Sequence, residues 1–126
     1  MKTKKVLRHF AIKYCLIILI APNTFVLHAE VSKKEKDILI EFNKSTHGEA
    51  WIVKWNLSKP VSTWHGVEVR NGTVVSLSLF RNNLKGVLPK ALGGLENLEI
   101  LNLALNELGG IIPHEIGLLK KLRELR

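Results

Sequence analysis

Apolar and polar positions alternate in two short stretches of the C-terminal half of the chain. Leu77 and Leu79 flank one polar residue, and the same pattern returns at Leu101 and Leu103. Alternation with a period of two predicts a β-strand that buries one face and exposes the other. We therefore expect the leucines to enter a core, while the residues between them face outward.

These strands belong to a repeat of 24 residues that also carries an asparagine, a glycine and a proline. A repeat of this length predicts a solenoid, because each copy can bury its leucines only against its neighbours. A third copy begins with Leu122 and Leu125. The matched positions are Val74, Leu77, Leu79, Asn82, Leu84, Gly86, Leu88, Pro89, Leu92 and Leu95 in the first copy, and Leu98, Leu101, Leu103, Asn106, Leu108, Gly110, Ile112, Pro113, Ile116 and Leu119 in the second.

The repeated polar residues have a physical reason. The chain is expected to turn sharply at Asn82 and Asn106, where a buried turn leaves backbone donors and acceptors without water. An asparagine amide offers donors and an acceptor, so a row of asparagines can satisfy the backbones of adjacent copies. Gly86 and Gly110 permit backbone geometry that a side chain would block. We therefore interpret both asparagines as structural residues.

The residues before the repeats predict a unit that closes one end of this core. Apolar residues at helical spacing predict a helix from Lys33 to about Lys44. The dipeptide Asn71–Gly72 suits the two-residue turn of a β-hairpin, with strands around 67–69 and 75–77. Three tryptophans, interpreted as structural, supply apolar area for sealing the open end: Trp51, Trp55 and Trp64.

Together these motifs resemble the leucine-rich repeat family. Residues 82–95 and 106–119 follow N-x-L-x-G-x-[IL]-P-x-x-[IL]-G-x-L, which resembles the subtype of plant receptor-kinase ectodomains that is also found in secreted bacterial proteins. The preceding T-x-G-x-x-W and W-x-G-V motifs resemble the N-terminal cap of that subtype. The resemblance implies an α/β fold. It is a right-handed solenoid with a parallel β-sheet on its concave face, capped by an α-helix and a β-hairpin.

The chain departs from the plant-type cap in one respect. Two cysteines usually flank W-x-G-V in that cap and pair with each other, and Ser62 and Val69 stand in their places. The single cysteine, Cys15, lies far from this motif. The cap therefore resembles those of secreted bacterial proteins more than those of plant receptors.

The N-terminus explains most of the net charge of +8. Residues 1–29 hold five basic residues and no acidic one, whereas the remainder mixes 14 basic with 11 acidic residues, so we expect no nucleic-acid partner. The N-terminus has the pattern of a signal peptide. A basic stretch is followed by an apolar stretch, and Ala29 suits the position before the cleavage site. The uncharged run at 14–29 is short for a membrane span, which needs roughly 20 apolar residues. A retained N-terminal anchor is the alternative, and we expect no membrane span in the mature chain.

We divide the chain accordingly into five parts. They are a signal peptide at residues 1–29, an N-terminal cap at 30–73, the first repeat at 74–97, the second repeat at 98–121, and the start of a truncated third repeat at 122–126.

Candidate chemistry is sparse in this sequence. The histidines at 47, 65 and 114 are scattered, and no pair has metal-ligand spacing. We therefore expect neither catalysis, a cofactor nor a metal site. Three N-x-[ST] triplets are glycan acceptors only in a eukaryotic secretory pathway, and the sequence leaves open whether they are used. They begin at Asn43, Asn56 and Asn71.

The outward-facing residues of the predicted sheet form the candidate ligand-binding surface, because solenoids bind partners on their concave face. Phe80 and Leu105 are either anchors for a partner or covers for the edges of the core. The full set, in the rows expected from stacking, is Ser76, Ile100 and Glu124, then Ser78, Asn102 and Arg126, with Phe80, Arg81, Ala104 and Leu105 beyond them.

These patterns favour a secreted or cell-surface module that recognises a protein or peptide ligand and has no catalytic activity. One alternative is the N-terminal ectodomain fragment of a membrane receptor, which in some cases carries a kinase. Another is a set of accessory repeats of a larger secreted enzyme. Since about three or more repeats are needed for stability, we expect an N-terminal fragment that self-associates through an uncapped C-terminal end.

Adding a capping repeat after Arg126 should raise the melting temperature of the chain by many degrees. The added coil would cover the leucines at 118, 119, 122 and 125. Scanning calorimetry of both chains measures the effect, and an unchanged melting temperature would contradict the expectation.

Overall fold

The computed structural model describes residues 29–126, so the predicted signal peptide lies outside the described residues except for Ala29. In the described part, no helix has the length and apolar character that a membrane crossing requires. The longer elements in chain order are α1 (Lys33–Ser45), β1 (Val67–Arg70), β2 (Thr73–Ser78), β3 (Lys85–Val87), β4 (Ile100–Asn102), β5 (Glu107–Gly109) and β6 (Glu124–Leu125). Short 3-10 helices lie at Gly48–Ala50, Val61–Thr63, Lys90–Gly94 and His114–Leu118.

The main sheet has the strand order β1-β2-β4-β6. β1 runs antiparallel to β2, whereas β2, β4 and β6 are parallel. Leu77 lies opposite Leu101, and Leu101 lies opposite Leu125, so the register reproduces the 24-residue repeat. This arrangement confirms the predicted parallel sheet of stacked coils.

Each coil continues from its main strand through a turn to a second, shorter strand. β3 and β5 pair in parallel as a separate two-stranded sheet, which the sequence pattern did not predict. Gly86 lies in β3 with φ of +92°, a left-handed conformation that favours glycine. A Cβ on Gly86 would also lie 2.3 Å from the carbonyl oxygen of Ser45. Glycine is therefore required at this position both by backbone conformation and by the close approach of helix α1's last residue.

The coils close through 3-10 helices that follow Pro89 and Pro113. Leu92 and Ile116 are the buried residues that these helices send into the core. The two helices pack closely, because a Cβ on Gly93 would lie only 2.3 Å from the carbonyl oxygen of Glu115. The glycine allows the backbones of successive coils to approach each other.

One continuous apolar core runs through the described part of the chain. It joins the helix α1, the tryptophans and the leucines of both coils, and most of these leucines are fully buried. At the C-terminal side, Leu101, Leu103 and Leu125 contribute to the lining of an open apolar cavity of about 270 Å³. The core is therefore open to this cavity at its C-terminal side.

The helix α1 begins and ends at clear signals. The hydroxyl of Ser32 accepts a hydrogen bond from the backbone N–H of Glu35 at 3.2 Å, which caps the first turn. After the helix, His47 adopts a left-handed conformation with φ of 55°. The hydroxyl of Thr46, which is fully buried, donates to the carbonyl oxygen of Phe42 at 2.7 Å. The chain thus turns sharply away from α1 toward the tryptophans.

Trp51, Trp55 and Trp64 are all buried and form one aromatic cluster. The rings of Trp55 and Trp64 stack with centroids 4.8 Å apart, and those of Trp51 and Trp55 meet edge to face at 4.9 Å. Every indole N–H donates to a backbone carbonyl, those of Thr46, His65 and Lys59 respectively. The cluster therefore adds large apolar area without leaving an indole donor unpaired.

The hairpin of β1 and β2 turns at Asn71–Gly72. A register shift between Glu68 and Val69 places Val69 opposite Val74, not opposite Val75. Such a bulge bends its strand and increases the local twist. The strand β1 is therefore irregular between Glu68 and Val69.

A row of polar contacts ties α1 to the coils. The Oε1 atom of the buried Glu35 accepts from the hydroxyl of Thr73 at 2.6 Å. The amide of Asn97 donates to the same hydroxyl at 3.0 Å, and the ammonium of Lys121 donates to Asn97 Oδ1 at 2.6 Å. Residues 73, 97 and 121 are equivalent in successive copies, so this row crosses the whole stack.

Replacing Leu77 by alanine should lower the free energy of unfolding by about 2–5 kcal/mol, since the fully buried side chain would leave a cavity. Urea unfolding followed by tryptophan fluorescence measures the change. The matched control is Leu118→Ala, because Leu118 is exposed. Equal losses in both variants would contradict the described core.

Candidate ligand-binding face

The structure places most of the predicted surface residues in rows across the main sheet. Ser76, Ile100 and Glu124 occupy equivalent positions on β2, β4 and β6. In the neighbouring row, Ser78 lies opposite Asn102. Arg126 continues that row, since its backbone oxygen accepts from Leu103 N at 2.8 Å.

Exposure differs strongly among these residues. Ser76 is buried. Ser78 and Asn102 are half-buried. Phe80 and Leu105, at the end of the strands, are exposed. The accessible part of the surface therefore lies toward the carboxyl ends of the strands.

Arg81 and Leu105 share a conformation that the sequence did not signal. Their φ angles are 51° and 54°, in the left-handed region that non-glycine residues rarely adopt. They are equivalent residues of successive copies, and each directly precedes a repeat asparagine. The turn after each main strand thus has one defined geometry, which directs residue 81 and residue 105 to solvent.

The side chain of Asn106 holds this turn in place. Its Oδ1 atom accepts from the backbone N–H groups of Asn82 and Leu84, both at 3.0 Å. Its Nδ2 atom donates to the carbonyl oxygens of Leu79 and Leu103, both at 2.8 Å. One amide therefore satisfies buried backbone groups in its own coil and in the preceding one.

Asn82 makes the corresponding contacts one coil earlier. Its Oδ1 atom accepts from the backbone N–H of Val53 at 2.7 Å, and its Nδ2 atom donates to the carbonyl oxygen of Val53 at 3.1 Å. The backbone N–H of Ile52 also donates to the carbonyl oxygen of Asn82 at 3.1 Å. The segment around residues 52–53 therefore lies beside the first turn as a preceding coil would.

Paired charges cover the opposite end of the main sheet. Glu99 lies between Arg70 at 3.2 Å and Arg123 at 2.7 Å, and Arg70 also reaches Glu68 at 3.0 Å. The pKa of Arg70 is raised, first by its hydrogen bond to Glu68 and then by the negative charge of Glu99. In contrast, the Arg81 side chain makes no ion pair or hydrogen bond with another residue of 29–126. The unpaired cation lies where the apolar residues are exposed.

Two of the histidines contact a neighbouring carboxylate. His47 lies 3.2 Å from Glu49, and His114 lies 3.4 Å from Glu115. The pKa of Glu49 is lowered chiefly by a hydrogen bond from its own backbone, with His47 contributing less. Among residues 29–126, no three histidine, cysteine or acidic side chains converge to hold a metal ion.

The comparison with protein families agrees with the coil geometry. Residues 73–126 match the family model described as "Leucine rich repeat". Residues 73–126 are therefore similar to leucine-rich repeats.

A sequence relative carries similar repeats. The chain is 41% identical over 72 residues to the leucine-rich repeat receptor protein kinase EMS1 of Arabidopsis thaliana. The match covers 56% of this chain and only 6% of the relative. It therefore concerns a small part of that receptor kinase.

Solved structures from plants and bacteria have a similar fold. A plant ice-binding protein is 25% identical with a TM-score of 0.66, covering 77% of this chain and 33% of that protein. A leucine-rich repeat protein from Bacteroides eggerthii is 32% identical with a TM-score of 0.52, covering 58% of this chain and 13% of that one. The similar structures thus include a plant protein and a bacterial protein.

Replacing Asn106 by alanine should lower the free energy of unfolding by about 2–3 kcal/mol, because buried backbone groups of two coils would lose their partners. Urea denaturation measures the loss. Asn102→Ala is the matched control, since the Asn102 side chain bonds only to the backbone N–H of Ala104 nearby. A similar stability for both variants would mean that the amide contacts do not hold the coils together.

Proposed function

We propose that this protein, with its leucine-rich repeats, is a non-catalytic recognition module. It binds a protein or peptide through the solvent-facing residues of the main sheet. The observation that supports this function is the row geometry, which presents Ser78, Asn102 and Arg126 side by side on adjacent strands. The repeats of a receptor protein kinase are similar in sequence, and receptors act by recognising ligands. Recognition by a repeat array uses such extended surfaces.

We also propose that the protein is exported and is either secreted or held at the cell surface. Its support is the basic and apolar pattern of residues 1–29, which is typical of a signal peptide. We further propose that residues 30–73 serve as the N-terminal cap. Two features favour this role: the buried tryptophan cluster, and the face of α1 that packs on the core through Leu39 and Phe42.

Two wider functions use the same module. The repeats belong either to the ectodomain of a membrane receptor or to a larger secreted enzyme in which they bind an accessory partner. The relative, a receptor protein kinase, favours the first of these. Sequencing the transcript downstream of codon 126 distinguishes them. A receptor would continue into a membrane span and a kinase domain, whereas a secreted enzyme would continue into a catalytic domain without a span.

The similarity to an ice-binding protein does not change this preference. In the present chain, the outer two-stranded sheet carries an ion pair between Lys85 and Glu107 at 3.2 Å. The outward residues of the main sheet are mixed in charge and size, whereas a repeated crystalline surface calls for a repeated, uncharged pattern. Varied side chains on a fixed scaffold suit a protein ligand better.

Site-specific photo-crosslinking tests the recognition function. A photoreactive phenylalanine analogue placed at Ser78 or Asn102 should form covalent adducts with a discrete partner when the protein is added to its native cells and illuminated. The matched control carries the analogue at Glu107, on the outer sheet. Mass spectrometry of the adducts identifies the partner.

Adducts from positions 78 and 102 that are absent at position 107 support recognition through the main sheet. The same adducts from all three positions, or none from any, would contradict it.

A further inference from the structure

Exposed apolar side chains follow the turn edge of the stack, meaning the turns at the carboxyl ends of the main strands. Ile52 is 68% exposed and Val53 is 43% exposed, whereas Phe80 and Leu105 are 51% and 69% exposed. We call these four residues the turn-edge stripe. Exposed apolar residues that lie together in this way are typical of an interaction site.

Backbone hydrogen bonds bring the stripe together from three successive levels of the stack. Ile52 N donates to the carbonyl oxygen of Asn82 at 3.1 Å, so residues 52–53 lie beside the first turn. Arg81 N donates to the carbonyl oxygen of Ala104 at 3.0 Å, so the first turn lies beside the second. Adjacent strands lie about 4.8 Å apart, and the stripe therefore spans about 10 Å.

The stripe lies outside the buried core. None of its four residues belongs to the continuous apolar core or to the partly buried residues that pack against it. Sequence reasoning left open whether Phe80 and Leu105 cover core edges. Their exposure and their position outside the core leave this apolar surface available to a partner.

Two basic residues beside the stripe have no direct partner within residues 29–126, although the charge of Lys54 also acts on nearby Glu49. Lys54 and Arg81 are exposed, and neither forms an ion pair or side-chain hydrogen bond with another residue of 29–126. The nearest acidic residues along the chain are Glu49, which contacts His47 at 3.2 Å, and Glu107, which contacts Lys85 at 3.2 Å. The surface is therefore apolar and cationic, which is complementary to an apolar and anionic segment.

We propose that the turn-edge stripe binds an extended protein segment in which an acidic residue is flanked by large apolar residues. An extended chain rises about 3.3 Å per residue, so the 10 Å stripe matches about three residues of such a segment. The carboxylate of the segment pairs with the Arg81 guanidinium, and its apolar neighbours contact Ile52 and Leu105. This inference rests on the proposed recognition function and specifies which residue types the partner segment contains.

Peptide selection on the 126-residue protein tests the stripe. A phage-displayed library of random 12-residue peptides should yield a consensus with aspartate or glutamate between large apolar residues. The consensus peptide is then synthesised with a fluorophore, and its Kd is measured by anisotropy. Ile52→Ser and Arg81→Glu should each weaken binding about tenfold or more, while circular dichroism stays unchanged.

Matched controls lie on other surfaces of the chain. Ile111 is 91% exposed and Lys90 is exposed, and both lie outside the stripe. Ile111→Ser and Lys90→Glu therefore repeat the two chemical changes and should leave the Kd within about twofold of the unaltered protein.

Three results would overturn the inference. They are a consensus without acidic residues, equal weakening by the control variants, and the absence of any selected peptide. Binding that is lost in Ser78→Tyr and Asn102→Tyr, but kept in Ile52→Ser and Arg81→Glu, would also overturn the stripe while supporting recognition by the main sheet. The photo-crosslinking experiment tests the recognition function independently of the stripe.

Discussion

The structure depends on an amide side chain that bonds to the backbone of the preceding coil. A solenoid turn is buried on both sides by its neighbours, so its N–H and C=O groups cannot bond to water. Asn106 supplies both kinds of partner to the first coil, and Asn82 does the same for the segment at Val53. The leucine core supplies most of the stabilising free energy, but the amides fix where each turn lies. Without that fixed position, neither the rows of the main sheet nor the turn-edge stripe would exist.

The same constraint joins the N-terminal unit to the repeats. Asn82 bonds to Val53 as Asn106 bonds to the preceding coil, although residues 52–53 do not match the repeat sequence. The tryptophan cluster lies directly beside this contact and covers the end of the core with bonded indole groups. The polar row from Glu35 to Lys121 adds a second connection along the stack. The module therefore behaves as one body from α1 to β6.

Sequence reasoning reached the parts of the fold that side-chain identity dictates. The strands at Leu77 and Leu101 follow from alternation, and their register follows from the repeat. The outer two-stranded sheet was missed, because its strands have only 3 residues each and are too short to show alternation. At the candidate face, the rows of Ser78 and Asn102 were predictable from spacing. The place of Ile52 beside the first turn was not, since a long-range hydrogen bond sets it and no local pattern encodes it.

The backward reach of each asparagine also sets an order for assembly on the ribosome. The backbone groups of Leu79 and Leu84 find their amide partner only when Asn106 has been made and has left the exit tunnel. The turn after β2 is therefore completed only after the following repeat asparagine has been synthesised. In a nascent chain paused just before Asn106, the turn after β2 would lack its amide partner. The tryptophan cluster, which lies earlier in the chain, could already be packed.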